Sequence, residues 1–302
     1  MYRFFILLSL LVCLLTACKG QEKTPSENAP KAQQIVIGLI PEQNIFRQFD
    51  RYQPVADYLS SEGGLNIRLK VLPQYGNIID NFVSLRVDGA FFGSFIYAVA
   101  HAKLGVDVLA RPEAVDGIST YCGLIFVRKD SGIKSVRDMK GKSFAFVDKG
   151  TMAGYLLPVA YFHKMGIKDY RNYLKEVYYT GTHEDAIYDV LNRKADIGAA
   201  KNTVFERLVA DDSRIKNDLM VLERSPDVPE NALAVRKDLD DAIKEKLKQG
   251  LLNMHKTVEG QRVLKEFGAR RFIETKDEDY EPVYKLAREI NIDLKTYDMS
   301  EK

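Results

Sequence analysis

The feature that most constrains this chain is an alternation of short apolar runs with amphipathic helical patterns, which starts at Gln34. The apolar run at residues 35–40 precedes the amphipathic stretch 52–61, and the run at 67–71 precedes the stretch 75–83. Such alternation indicates βαβ units, in which each helix returns the chain to a parallel strand. The sequence therefore predicts an α/β fold with mostly parallel sheets flanked by helices.

A weak internal repeat indicates that this pattern forms two lobes. Asp88-Gly89-Ala90 and Asp196-Ile197-Gly198-Ala199 each follow a helical pattern and open a strand, roughly a hundred residues apart. The β-prone runs 121–127 and 232–236 lie where the chain would cross between the lobes, so we expect two hinge crossings. Residues 35–122 and 232–302 are predicted to form lobe 1, and residues 123–231 to form lobe 2.

The N-terminal segment predicts export and a membrane anchor. Arg3 precedes the apolar run 4–17, which is too short to span a bilayer stably and is typical of a signal peptide over residues 1–17. The residues Leu15-Thr16-Ala17-Cys18 resemble a bacterial lipobox, in which the cysteine is lipidated. The alternative is a secretory signal with an incidental cysteine. Residues 18–34 then form a polar, lipidated tether, and the folded part lies outside the cytoplasm, in the periplasm or on the outer face of the cell membrane.

Composition excludes several other classes of function. The formal net charge of +2 gives no basic excess for nucleic-acid binding. The three cysteines form no Cys-x-x-Cys pair, and the histidines have no metal-ligand spacing, so we expect no metal and no cofactor. An exported, two-lobed α/β chain without a catalytic motif has the profile of a receptor that closes around a small molecule.

The segment around Thr151 is the best candidate for an anion site. Residues 143–147 form a predicted strand, the turn 148–154 contains Gly150 and Gly154, and a helical run follows. A turn of this kind presents unpaired backbone N–H groups at the positive end of the helix dipole. Pro158 falls in this helical run and predicts an irregular first turn.

His183 is the second candidate. It lies in Thr182-His183-Glu184, where a predicted strand ends and a helix begins. An imidazole N–H placed there can reach an oxyanion between the lobes, although a surface position is an equally open interpretation. The acidic residues beside it match the dipole of the first helical turn.

Several short segments, in one order along the chain, give the sequence a specific resemblance. They are residues 52–59, 73–75, 93–97, Tyr121 with the strand that follows it, 130–133, 138–142, the Thr151 turn with Gly154 and Pro158, 181–183 and 225–229. With these segments the chain resembles the phosphate, phosphite and phosphonate-binding proteins of ABC importers, of the type II periplasmic binding fold. The resemblance extends from about Ile35 to about Ile292.

The resemblance implies roles for particular residues. Tyr75 and Tyr121 would contribute phenolic hydroxyls, Thr151 a hydroxyl and backbone N–H groups, and His183 a further donor. Where the family has a Ser-Thr-Ser-Gly turn, this chain has Thr151, Met152, Ala153 and Gly154, so two hydroxyls are replaced by apolar side chains.

The resemblance also bears on the ligand. The positions that would align with the acidic partners of an aminoalkylphosphonate are Val204 and Asn231, and neither is charged. A buried ammonium without an acidic partner is costly. Phosphate, phosphite or a small alkylphosphonate is therefore the expected ligand, and Met152 would tolerate an apolar substituent.

The function implied is that of an extracytoplasmic solute-binding lipoprotein, expected to be a monomer, that delivers its anion to an ABC permease. Alternatives are a binding protein that reports its ligand to a sensor kinase or chemoreceptor, and a binding protein for another small anion such as a sulfonate or carboxylate. A phosphoesterase that uses His183 with Glu184 or Asp185 is a third class, which lacks an identifiable nucleophile. We therefore expect no enzymatic activity.

Overall fold

The computed structural model describes residues 34–72, 75, 78–84 and 86–299. The predicted signal peptide, the tether up to residue 33 and Cys18 lie outside the described residues. Among the helices within these ranges, none is both long enough and apolar enough to cross a membrane.

The helices and strands follow one another in three stretches of chain. The first stretch contains β1 (Gln34–Leu39), α1 (Ile45–Gly63), β2 (Asn66–Val71), α2 (Ile78–Ser84), β3 (Gly89–Phe92), α3 (Ser94–Leu104) and β4 (Asp107–Glu113). The second contains β5 (Thr120–Tyr121), β6 (Gly123–Arg128), β7 (Ser143–Phe146), a π-helical turn (Met152–Leu156), α4 (Leu157–Lys164), α5 (Tyr170–Tyr173), β8 (Glu176–Tyr179), α6 (His183–Leu191), β9 (Ile197–Lys201), α7 (Asn202–Asp211), α8 (Arg214–Asp218) and β10 (Leu219–Arg224). The third contains β11 (Val228–Pro229), β12 (Ala232–Val235), α9 (Asp241–Asn253), α10 (Val258–Phe267), β13 (Arg271–Glu274) and α11 (Glu281–Glu289).

Two sheets organise these elements into two lobes. The first lobe is built on six strands in the order β13-β4-β12-β3-β1-β2, and the second on five in the order β10-β6-β9-β7-β8. Strands β5 and β11 pair as a separate antiparallel ribbon, with Tyr121 opposite Val228. This ribbon joins the lobes, so the expected two-lobed α/β fold with two crossings is confirmed.

The sheets are mixed: most strands of each sheet run in one direction, as expected, and a minority runs antiparallel to them. Strand β1 runs parallel to β2 and β3, but β12 runs antiparallel to both β3 and β4. The reason is that the chain returns from the second lobe into β12, which inserts between β3 and β4. Without this insertion, the helical crossover through α3 would make β3 and β4 parallel neighbours. In the second lobe β6 enters from the first lobe and is antiparallel to β9 and β10 in the same way.

The core continues from one lobe into the other. On one face of the first sheet, the Tyr52 ring lies 4.8 Å from Phe91 and 5.0 Å from Phe267, which fastens α1 and α10 to the strands. A second and larger apolar cluster includes Tyr121 and Met152 and contains buried side chains of both lobes. This shared cluster holds the lobes against each other around the residues described next.

Candidate functional site

The Thr151 turn connects the end of β7 to a π-helical turn. The Thr151 hydroxyl donates to the carbonyl oxygen of Asp148 at 2.6 Å, and the N–H of Gly150 donates to the Asp148 carboxylate at 2.8 Å. The N–H of Leu156 then bonds the Thr151 carbonyl at 3.1 Å, which begins the π-helical pattern. The first N–H groups of such a turn have no intrahelical acceptor, so they provide donors for an anion.

Gly154 explains how this turn folds back on its own strand. A Cβ at this position would lie 2.4 Å from the Val147 Cβ and 2.8 Å from the Thr151 Oγ1, which no side chain tolerates. The N–H of Val147 bonds the Gly154 carbonyl at 3.2 Å. Pro158 lies in the first turn of α4, and the irregular start that it predicts is the π-helical turn before Leu157.

The two predicted tyrosines reach this region from the first lobe and from the crossing. Tyr75 is buried, and its Cβ lies 3.5 Å from the point where Gly150 would carry a Cβ, so it packs against the Thr151 turn. The Tyr121 hydroxyl lies 2.7 Å from that of Ser94, the first residue of α3. Burial raises the pKa of both phenols well above its usual value, and the Glu42 carboxylate raises both further, so each phenol keeps its proton.

Met152 and Ala153 are buried in the apolar cluster that also contains Tyr121. Ala153 fits there because Gly123 on β6 has no side chain: a Cβ at Gly123 would lie 2.9 Å from the Cα of Ala153. Met152 and Ala153, which replace two hydroxyl residues of the family's turn, therefore lie in well-packed surroundings near Tyr121, where the chain crosses between the lobes.

His183 is buried at the start of α6 and contacts both lobes. Its backbone N–H donates to the Glu42 carbonyl at 3.0 Å, and its Nδ1 accepts from the backbone N–H of Lys201 at 3.3 Å. Burial lowers the pKa of His183 to about 4, against the opposing effect of the Glu42 carboxylate. The ring is thus neutral at pH 7, and because Nδ1 accepts, Nε2 carries the proton and is a donor.

The structure groups Tyr121 and Asn231 with three residues that sequence reasoning missed, Glu42, Lys201 and Glu230, and we call these five residues the Lys201 cluster. The Lys201 Nζ donates to Glu42 Oε1 at 3.3 Å, to Asn231 Oδ1 at 3.0 Å and to Glu230 Oε1, and it lies 4.3 Å from the centre of the Tyr121 ring. The sequence held one signal that Lys201 is buried. This lysine directly follows the strand residues Ile197–Gly198–Ala199–Ala200, none of which carries a polar side chain.

The neighbours of the buried Glu42 keep its carboxylate ionised. Burial alone would raise the pKa of Glu42, but the Lys201 ammonium, the His183 ring, the Asn231 amide and the Arg207 guanidinium together lower it to about 2. Glu42 is therefore ionised and paired at neutral pH. A polar cavity of about 210 Å³, lined by Glu42, Lys201, Arg207, Glu230 and neighbouring residues, adjoins the cluster.

The first lobe contacts the second directly through the segment that follows β1. The N–H of Asn44 donates to the Glu184 carboxylate at 3.1 Å, and Arg207 donates to Gln43 Oε1 at 2.5 Å. Together with the bond from His183 to Glu42, these contacts fasten the start of α6 and the middle of α7 to the first lobe.

The predicted site residues thus form two adjoining groups. Tyr75, Thr151, Met152 and Ala153 lie at the turn, whereas Tyr121 belongs to the Lys201 cluster and His183 borders it. The two groups adjoin, since Tyr75, Tyr121, Met152 and Ala153 share one apolar cluster. In the part of the chain that the structure describes, no group of three or more His, Cys, Asp or Glu residues is arranged to hold a metal.

Comparison with known proteins places this arrangement in context. A family model described as the periplasmic substrate-binding protein of an ABC phosphonate transporter matches residues 37–280. The phosphonates-binding periplasmic protein of Escherichia coli (strain K12) is 24% identical over 268 residues, which are 87% of this chain and 79% of that protein. The phosphate-import protein PhnD of Mycolicibacterium smegmatis is 26% identical over 251 residues, 78% of this chain and 76% of that protein.

Solved structures share the fold. The binding protein component of an ABC phosphonate transporter from Pseudomonas aeruginosa superimposes with a TM-score of 0.77 at 25% identity, covering 86% of this chain and 87% of that one. PhnD1 from Prochlorococcus marinus, solved in complex with methylphosphonate, gives a TM-score of 0.75 at 20% identity, covering 85% of this chain and 98% of that one.

Proposed function

This chain belongs to the family of periplasmic substrate-binding proteins of ABC phosphonate transporters, and we propose on that premise that its own ligand is a small phosphorus oxyanion. Members of the family bind a substrate outside the cytoplasm for a permease and are not enzymes. The proposed ligands are phosphate, phosphite or a small alkylphosphonate, bound between the lobes.

The observation that carries this proposal is the Thr151 turn, which leads into a helical segment and packs at Gly150 against the buried Tyr75 of the opposite lobe. In the bound state the Thr151 hydroxyl turns from the Asp148 carbonyl to a ligand oxygen. The N–H groups of the turn, the phenols of Tyr75 and Tyr121 and the Nε2–H of His183 supply further donors. All these donors are neutral, and hydrogen bonds to an ionised acceptor are roughly twice as strong as neutral ones.

The choice among phosphorus oxyanions depends on Met152 and Ala153. Their side chains offer no hydroxyl to a fourth oxygen, so an anion with one apolar substituent in place of an oxygen leaves fewer polar atoms unpaired. We therefore propose that methylphosphonate or phosphite binds more tightly than phosphate.

Calorimetry of the purified protein against phosphate, phosphite, methylphosphonate and methanesulfonate tests the proposal. We expect binding of at least one phosphorus oxyanion, unchanged in the His101→Ala control, whose side chain lies on α3 and bonds the Val106 carbonyl at 2.9 Å, away from the site residues. Binding of the sulfonate alone would contradict the proposal.

The family also implies an ABC permease as partner and an extracytoplasmic location. We propose in addition that the protein is a monomer anchored through an acylated Cys18. Mass spectrometry of protein from the native membrane is expected to find an acylated chain that starts at Cys18, and Cys18→Ser should release the protein into the soluble fraction. An unmodified chain cleaved elsewhere contradicts the anchor, and a dimer on size-exclusion chromatography contradicts the monomer.

A further inference from the structure

We propose that Lys201 determines ligand specificity: its ammonium occupies, inside the cleft, the acceptors that a ligand ammonium would need, so that the site admits oxyanions with an uncharged tail and rejects aminoalkyl ones. This inference rests on the proposed function, because it concerns the tail of the same phosphorus oxyanion. It assigns to Lys201 a role that neither the turn nor the tyrosines can perform.

The Lys201 cluster has the composition of an ammonium-binding site. An ammonium has three N–H donors, and Lys201 directs them to three acceptors, Glu42 Oε1, Glu230 Oε1 and Asn231 Oδ1. The Tyr121 ring face covers the same ammonium at 4.3 Å, which adds a cation–π contact. The Lys201 side chain is only 3% exposed, so water replaces none of these partners.

Two contacts connect the cluster to the proposed ligand site. The backbone N–H of Lys201 bonds the ring of His183, and its ammonium contacts the ring of Tyr121, so both of these site residues touch it. The Asn231 amide completes the cluster: its Oδ1 accepts from Lys201, and the amide also acts on the Glu42 carboxylate, whose pKa it lowers.

Charge balance explains the selectivity. Glu42 and Glu230 bring two negative charges to the cluster, which Lys201 and the neighbouring Arg207 guanidinium offset. The Lys201 ammonium uses one oxygen of each carboxylate and the Asn231 carbonyl oxygen as acceptors. A second ammonium from a ligand would meet a like charge and find these acceptors occupied, which is a repulsive device against the wrong ligand. Truncation of Lys201 leaves the carboxylates unpaired in a cavity, and a ligand ammonium can then take its place.

A matched pair of ligands isolates this effect. Ethylphosphonate and 2-aminoethylphosphonate share the phosphonate group, and the second adds an ammonium to the same two-carbon tail. We expect the wild-type protein to bind ethylphosphonate at least about tenfold more tightly, and Lys201→Ala to reverse the preference by a similar factor. Isothermal titration calorimetry measures both affinities.

Two further variants separate specificity from a structural role. Lys201→Met removes the charge but keeps the space filled, so it should not gain affinity for 2-aminoethylphosphonate. Lys201→Ala combined with Glu230→Gln removes one of the carboxylates and should lose most of the gain. If Lys201→Ala is strongly destabilised, its melting temperature is measured with each ligand in excess. We expect this temperature to be higher with 2-aminoethylphosphonate than with ethylphosphonate.

The outcomes that overturn the inference are distinct from failure of the proposed function. Equal affinity of the wild-type protein for the two ligands would overturn it, as would a Lys201→Ala protein that still prefers ethylphosphonate or is stabilised equally by both. A wild-type protein that binds no phosphorus oxyanion, including methylphosphonate, would instead refute the function on which the inference rests.

Discussion

Burial sets the protonation state of His183, and this has a measurable effect on stability. Its pKa is about 4 in the folded protein against about 6.5 in an unfolded chain, so the unfolded state binds more protons between these values. Stability is therefore fully present above pH 6.5 and declines as the pH falls towards 4. The Glu42 carboxylate, with a pKa of about 2, stays ionised through this window.

We expect the free energy of unfolding of the wild-type protein to fall by roughly 2 to 3 kcal/mol more than that of His183→Gln between pH 7 and pH 4.5. Denaturant unfolding at the two pH values measures this difference. His101→Gln, at a half-buried position on α3 outside the Lys201 cluster, is the matched control. Parallel pH dependence in wild type and His183→Gln would show that His183 is not buried as a neutral ring.

The Thr151 hydroxyl should matter more for binding than for folding. Thr151→Val keeps the shape but removes the donor, so we expect about ten- to a hundredfold weaker binding of the oxyanion. Loss of its bond to the Asp148 carbonyl should cost about 1 kcal/mol of stability. Thr151→Ser keeps the hydroxyl and should bind within about threefold of wild type, as calorimetry can check. Full affinity in Thr151→Val would remove this hydroxyl from the site.

At the scale of elements, the Thr151 turn depends on the absence of a side chain at Gly154. Gly154→Ala would place a methyl group 2.4 Å from the Val147 Cβ, so the turn must shift away from β7. We expect a loss of about 1 to 3 kcal/mol in the free energy of unfolding, measured with denaturant, together with weaker anion binding.

Gly63→Ala is the matched control for this prediction. Gly63 ends α1, and a Cβ there would meet its nearest neighbour, the Leu65 side chain, at 3.7 Å. This change should be neutral or stabilising, because alanine favours helix over glycine. If both variants were equally stable, the close approach at Gly154 would not be what shapes the turn.

At the scale of the whole molecule, contacts between the lobes contribute to affinity without touching the ligand. Arg207 on α7 donates to Gln43 of the first lobe, although the residue is exposed. We expect ligand binding to close the lobes, so removing this contact should favour the open form by a factor that is common to every ligand.

Arg207→Ala should therefore weaken the binding of phosphate and of methylphosphonate by the same factor, about three- to tenfold. Calorimetry measures both affinities. Arg214→Ala is the control, since Arg214 pairs at 2.6 Å with Asp212 of its own lobe. A factor that differs between the two anions would mean that Arg207 contacts the ligand itself.

Local features of this protein could be predicted because they depend on residues close together in the chain. The predicted amphipathic stretch 52–61 lies within α1, and Pro158 with the glycines of the Thr151 turn indicated an irregular helix start. The likeness of several short segments in one order was enough to identify the family, which the family model confirms.

Strand direction and the Lys201 cluster were decided only by the tertiary structure. Strand β12 could be located in the sequence, but its insertion between β3 and β4 depends on how the chain returns from the second lobe. Lys201 and Glu42 are separated by 159 positions, and neither carries a local signal for the other. Apolar periodicity and turn residues act over a few neighbours, so the sequence alone determined the elements and the turn. The pairing of buried charges requires distant segments to meet, and folding alone brought these two residues into one cleft.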